Sequence, residues 1–123
     1  MRIVLDTNVL VSGLLNPHGP PGRIVDAIIA GGITLLVDDR IVAEYNEVLS
    51  RPRFGFNATD VVALTAFLTT AAEHIVASPM SLKLKDPSDL PFVEVAVRGA
   101  ADALVTDNKR HFYFDKRKPA LAV

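Results

Sequence analysis

The sequence predicts an α/β protein, a three-layer α/β/α sandwich around a central, mostly parallel sheet. Three observations point there. First, the runs Arg2-Ile3-Val4-Leu5, Ile33-Thr34-Leu35-Leu36-Val37 and Ala103-Leu104-Val105-Thr106 are short and nearly continuous in apolar character, as strands covered on both faces are. Second, the segments between them repeat their apolar residues at helical spacing. Third, turn signals fall between these stretches: Asn16 to Gly22, Gly31-Gly32, Arg51 to Asn57 and Asp86 to Asp89. Strands that alternate with helices in this way build parallel crossovers.

Taken in order, residues 2–5 form a buried strand and 9–15 a short helix. Residues 22–30 are helical and stop at Gly31-Gly32. Residues 33–37 make a central strand. The helix over 39–50 is capped by Asp38 or Asp39 and ended by Arg51-Pro52. A helix over 58–73 is capped by Asn57 or Thr59, with Val61, Leu64, Leu68, Ala71 and Ile75 as its apolar stripe. His74 to Ser78 reads as a short strand, 89–100 as a helix and 103–106 as a strand, with Ala120 to Val123 as a last edge strand.

With 123 residues, the chain is expected to form one domain, 1–123, without repeats or linkers. Half of the residues are hydrophobic and 22% charged, the balance of an ordinary globular protein. The absence of cysteine excludes disulfides and thiolate metal sites and suits a cytoplasmic location. No apolar run approaches the roughly 20 residues that span a bilayer, so no membrane role is expected, and the N-terminus enters a strand-like run without the pattern of a signal peptide. A net charge of −1 gives no overall attraction for nucleic acid. The positive charge is nevertheless clustered, with Lys109, Arg110, Lys116, Arg117 and Lys118 near the C-terminus and Arg51 and Arg53 around Pro52. Such clusters are solvated surface or phosphate contacts.

The acids are more informative. Ligands of open parallel sheets bind outside the carboxyl ends of the strands, where strand order reverses. Asp6 ends the first strand, and Asp107 and Asn108 follow the strand 103–106. On the helix 39–50, Ile41, Val42, Tyr45, Val48 and Leu49 form the apolar stripe, and Glu44 lies at its edge while Glu47 points further toward water. A structural ion pair from Glu44 to Arg2 or Arg23 is the alternative to a functional role. On the helix 89–100, Asp89 shares the inward arc of Phe92, Val93, Ala96 and Ala100, and Glu94 points away. Asp89 is either an N-cap or a carboxylate placed over a strand end. Asp86 lies in the loop approaching that helix and can reach the same cleft. Carboxylates gathered this closely repel and raise one another's pKa, a cost that a divalent cation removes. Oxygen ligands without Cys or a well-placed His favour Mg²⁺ or Mn²⁺ over Zn²⁺, ions that serve phosphoryl chemistry.

Four segments carry a family resemblance: Leu5-Asp6-Thr7-Asn8-Val9-Leu10, Glu44 through Pro52, Asp86-Pro87-Ser88-Asp89 with the helix after it, and Ala101 through Asn108. In their order and separation the chain resembles PIN domains, metal-dependent ribonucleases of α/β/α fold. It looks most like VapC-type toxins of toxin–antitoxin pairs. The resemblance implies catalytic acids at Asp6, Glu44 and Asp89 that coordinate Mg²⁺ or Mn²⁺, with Thr7, Asn8 and Thr106 orienting them. The family's fourth acid falls at Asn108, a departure. Either Asp107 substitutes, or Asn108 contributes a neutral oxygen; Asp86 is an auxiliary ligand. The resemblance also implies an RNA substrate cut to 5′-phosphate and 3′-hydroxyl ends, an antitoxin that covers the cleft, and a homodimer. Lys109, Arg110, Lys116 and Arg117 would hold flanking phosphates without reading sequence.

Two other readings belong beside this one. A phosphatase of the haloacid dehalogenase type would need a second Asp where Asn8 stands. A degenerate PIN-like binding module, without nuclease activity, is compatible with Asn108. His18, His74 and His111 have no partner at metal-ligand spacing and read as surface or turn residues. Tyr45, Phe67 and Phe92 read as core, and Phe54, Phe56, Phe112, Tyr113 and Phe114 as packing over the sheet or against a partner.

Overall fold

In the computed structural model, which describes residues 1–77, 87–107 and 120–122, five strands form one sheet: β1 (Arg2–Leu5), β2 (Thr34–Val37), β3 (Glu73–His74), β4 (Ala103–Thr106) and β5 (Ala120–Ala122). Their order across the sheet is β3-β2-β1-β4-β5, and every pairing is parallel. Ile3 stands opposite Leu35 on one side and Ala103 on the other. The helices are α1 (Thr7–Leu15), α2 (Pro20–Ile29), α3 (Asp39–Leu49), α4 (Ala58–Ala71) and α5 (Leu90–Arg98). From β1 the chain steps outward through β2 to β3, then returns across the sheet to β4. Right-handed crossovers therefore put the helices of the outward steps on one face and α5 on the other, which gives the three layers expected.

The continuous apolar strands are explained by this sandwich. Ile3, Val4 and Leu5 of β1, Leu35, Leu36 and Val37 of β2, and all four residues of β4 are buried. Covered on both faces, a strand gains nothing from polar alternation. Each Val, Leu or Ile among them contributes about 1.5–3 kcal/mol when fully buried.

Boundaries moved where local chemistry allowed it. The second helix begins at Pro20, not residue 22, because proline suits the first turn, where its missing N–H has no partner to lose. Gly22 in that turn faces the chain at Pro17, where a Cβ would stand 2.2 Å from the Pro17 carbonyl oxygen. Of the alternatives, Asp38 caps α3 by accepting from the Ile41 N–H, and Asn57 caps α4 by accepting from the N–H groups of Thr59 and Asp60. The fourth helix ends at Ala71, so Ile75 leaves its stripe and instead donates its N–H to Val37 beside β2. α4 buries only Val61 and Leu68. Phe67, expected in the core, is 45% exposed, because it lies about 100° around the helix from that narrow contact.

Candidate active site

The order of the sheet reverses between β1 and β4, and the carboxyl ends of these neighbours place Asp6 and Asp107 side by side in the topology. Backbone and side chain both tie Asp6 to β4. Its N–H donates to the Val105 carbonyl at 2.9 Å, and its Oδ2 accepts from the Thr106 hydroxyl at 2.9 Å. Asp6 stands at the N-cap position of α1 yet makes no side-chain cap bond. Its carboxylate is thus turned to the strand end, where it is only 6% exposed. Thr106 is fully buried beside it.

The third helix brings the second acid. Glu44 is half-buried, and it accepts a hydrogen bond from the hydroxyl of buried Thr7, the residue after Asp6. An ion pair to Arg2 or Arg23 was the alternative to a functional role for Glu44. Arg2 pairs instead with Glu73 on β3 and so is engaged elsewhere. The next residue, Tyr45, is buried in the core and donates its hydroxyl to the Leu5 carbonyl at 2.5 Å. Asn8 is exposed, and among the described residues its side chain makes no hydrogen bond to these acids.

Asp89 sits between a short 3₁₀ turn (Pro87–Asp89) and α5. It occupies the N-cap position but makes no side-chain cap bond, and its Oδ2 is buried. The capping alternative is therefore not what the carboxylate does. Asp107 is exposed just beyond β4.

Sequence reasoning missed one acid. Glu94 was expected to point away; it is 1% exposed. Its Oε1 accepts from Arg40 Nη1 at 2.7 Å, while the same guanidinium holds Asp38 Oδ2 through Nε at 2.8 Å and Nη2 at 2.7 Å. The pair joins α3 to α5. A signal was available: Phe92, Val93, Val95 and Ala96 flank Glu94 and are buried with it, so this stretch of α5 has no wet face. A buried carboxylate in such a helix needs a cation, and Arg40 supplies it.

Electrostatics shows which acids converge. Burial pushes the Asp6 carboxyl up from 3.8 to about 6, against the lowering effect of the Thr106 hydrogen bond; the charges of Asp89, Asp107 and Glu44 push it up further. Burial, then the charges of Asp6 and Glu44, also drives the Tyr45 hydroxyl well above its ordinary value. Asp6, Glu44, Asp89 and Asp107 thus share one electrostatic neighbourhood. The donor set is all oxygen and negatively charged, which fits a hard divalent cation. Among the described residues, however, no three His, Cys, Asp or Glu side chains already stand as a group able to hold an ion. The other expected ligands, Asp86 and Asn108, and the expected phosphate contacts, Lys109, Arg110, Lys116 and Arg117, lie outside the described residues.

None of these acids lines a described pocket. One, of about 290 Å³, is lined by Leu14, Phe56, Asp60, Val61 and Leu64, and another, of about 310 Å³, runs along Asp38–Arg40 and His74–Ala77. Among the described residues no helix is long and apolar enough to cross a membrane.

Comparison with known proteins identifies the fold and the family. The chain is 28% identical over 113 residues to an uncharacterized protein, MJ1680, of Methanocaldococcus jannaschii, covering 87% of this chain and 71% of that protein. Its fold is similar to that of a chain in the crystal structure of VapBC2 from Rickettsia felis bound to a DNA fragment from their promoter. The TM-score is 0.60 at 21% identity, with 99% of this chain and 96% of that chain covered. The PIN domain family model matches residues 2–110, nearly all of the described structure and every acid of the cluster, and the chain belongs to the PIN domain family.

Proposed function

We infer that this chain is a Mg²⁺- or Mn²⁺-dependent endoribonuclease, a VapC-like toxin that hydrolyses RNA phosphodiester bonds and is restrained by a protein antitoxin. One observation carries the reading: Asp6 is buried at the switch point of the sheet, and Glu44, Asp89 and Asp107 all bear on its charge. A protein gains no stability from such a cluster by itself, whereas a phosphate-hydrolysing site requires it to hold a cation. Membership of the PIN domain family, whose members generally use divalent metal ions, supports the same conclusion.

Asp6, Glu44 and Asp89 would hold the ion, with Asp107, Asp86 and Asn108 as further oxygen donors. When bound, the ion supplies polarisation of the phosphate and a lowered pKa for water. The chain's own residues aim the donors: Thr106 fixes one oxygen of Asp6, and Thr7 fixes Glu44. Preorganised in this way, the acids need no rearrangement as charge develops on the phosphate. Lys109, Arg110, Lys116 and Arg117 hold flanking phosphates and add affinity without sequence preference. The structural neighbour is a VapBC2 structure, which supports an antitoxin partner here; a homodimer and action in the cytoplasm rest on the family resemblance alone.

The test is cleavage of mixed RNA by purified protein with Mn²⁺, with EDTA, and by the Asp6→Asn variant. Cleavage only in the first sample is expected. Cleavage by the variant at the wild-type rate overturns the assignment. A second reading rests on Asn108, which replaces an expected acid: a PIN-like binding module without activity. Absence of cleavage together with no thermal stabilisation by Mn²⁺ decides for it.

A further inference from the structure

Consecutive residues of α3 grip the chain on either side of Asp6. Glu44 accepts from the hydroxyl of Thr7, one residue after Asp6, and Tyr45 donates to the carbonyl of Leu5, one residue before it. The Leu5 carbonyl lies where the sheet runs out of partners. Arg2 and Asp6 bond toward β4, whereas Met1 bonds toward β2, accepting from Thr34. By alternation along β1, the Leu5 carbonyl also faces β2. The register pairs Arg2 with Thr34 and Ile3 with Leu35, and goes no further. In place of a further rung, the Tyr45 hydroxyl takes this last carbonyl.

We propose that Tyr45 is a positioning residue of the acidic site, tying α3 to the end of β1 so that Glu44 keeps its place relative to Asp6. A phenylalanine would fill the same core volume. The hydroxyl is needed only to hold the strand end, and its bond acts one peptide away from Asp6 and from the residue next to Glu44. The Arg40–Glu94 pair and the buried residues Ile41, Val48 and Leu49 hold α3 elsewhere; at the end of β1 the Glu44–Thr7 bond joins two side-chain rotors, whereas the Tyr45 bond is made to the backbone itself. With the Tyr45 bond added, the helix is held at two points on one side, and rotation that would withdraw Glu44 is blocked. The arrangement joins the first and second acids through the chain's own atoms, with no ion required to assemble them. Such pre-assembly limits the ordering that binding must supply.

The proposal rests on the nuclease reading for its consequence, but its geometry is tested separately. The variants are Tyr45→Phe and, as a control for lost stability alone, Val25→Ala, which trims a buried residue of α2. In metal-free protein, ¹³C NMR of the side-chain carboxyls is expected to show the Glu44 and Asp6 resonances displaced in Tyr45→Phe and unmoved in Val25→Ala. Calorimetric titration with Mn²⁺ is expected to show about tenfold weaker binding in Tyr45→Phe and wild-type affinity in Val25→Ala. With RNA, kcat should fall while KM stays constant. Carboxyl resonances that stay at their wild-type positions in Tyr45→Phe overturn the proposal, whatever happens to Tm. If the wild-type protein binds no Mn²⁺ and cleaves no RNA, the nuclease reading fails, and the metal-free resonances still decide whether Tyr45 positions the acids.

Discussion

Removing the charge of Asp6 should make the metal-free protein more stable. The carboxyl titrates near 6 in the fold against 3.8 ordinarily, and at about 1.4 kcal/mol per pH unit this gap corresponds to about 3 kcal/mol. The sign follows from proton binding. Between these two values the folded state keeps a proton that the unfolded state has released, so stability falls as pH rises through this window and is level above it. Below about 4 the cost is absent; at pH 8 it is present in full. The Asp6→Asn variant retains an oxygen that can accept from Thr106 and loses the repulsion from Glu44, Asp89 and Asp107. In EDTA at pH 8 it should unfold about 3 kcal/mol later than wild type in urea titrations, or on the order of 10 °C higher in Tm for a chain of this size. At pH 4 the two should nearly coincide. Mn²⁺ at one hundred times Kd should nearly close the gap, and at one thousand times Kd should reverse the order, because only the wild type gains the binding free energy, about 2.7 and about 4.1 kcal/mol respectively. An Asp6→Asn variant no more stable than wild type at pH 8 in EDTA would refute the reasoning, since the cost of burying the Asp6 charge, to which the neighbouring acids add, would then be absent.

Two further outcomes follow from the same geometry. Thr106→Val keeps the shape of a buried residue and deletes a hydrogen bond that lowers the Asp6 carboxyl; its titration, followed by ¹³C NMR in EDTA, should move further upward, and an unmoved midpoint would mean the bond is not made in solution. Arg40→Met removes the guanidinium that pairs with the buried Glu94 carboxylate. Breaking a buried pair costs roughly 3–5 kcal/mol, and because the Arg40 side chain is 47% exposed the loss in urea titrations should lie near the lower end; a loss under about 1 kcal/mol would show that the pair does not hold α3 to α5.

The strands and their parallel arrangement were legible because burial on both faces leaves a local signature. Residues 3–5, 35–37 and 103–105 are continuously apolar and continuously buried. The convergence of Asp6, Glu44, Asp89 and Asp107 was legible for a related reason. Each stands at a strand end or on the inner arc of a helix, and the topology of a parallel sheet brings those ends together. Helical periodicity failed where a helix did not have the usual one wet face. α5 has none around Glu94, so a polar residue that a helical wheel turns to solvent is held in the interior by Arg40, 54 residues away. α4 failed in the opposite direction, as its contact is narrower than its apolar arc and leaves Phe67 outside.

The order of residues along the chain by itself determined the layered architecture, the boundaries of most elements to within a residue or two, and which acids stand at strand ends, because all of these follow from local periodicity and chain direction. Which hydroxyl reaches which oxygen was decided only in three dimensions. Thr106 on Asp6, Thr7 on Glu44 and Tyr45 on Leu5 join positions 100, 37 and 40 residues apart, and bonds over such separations depend on how whole elements pack, to a fraction of an ångström that no local pattern encodes.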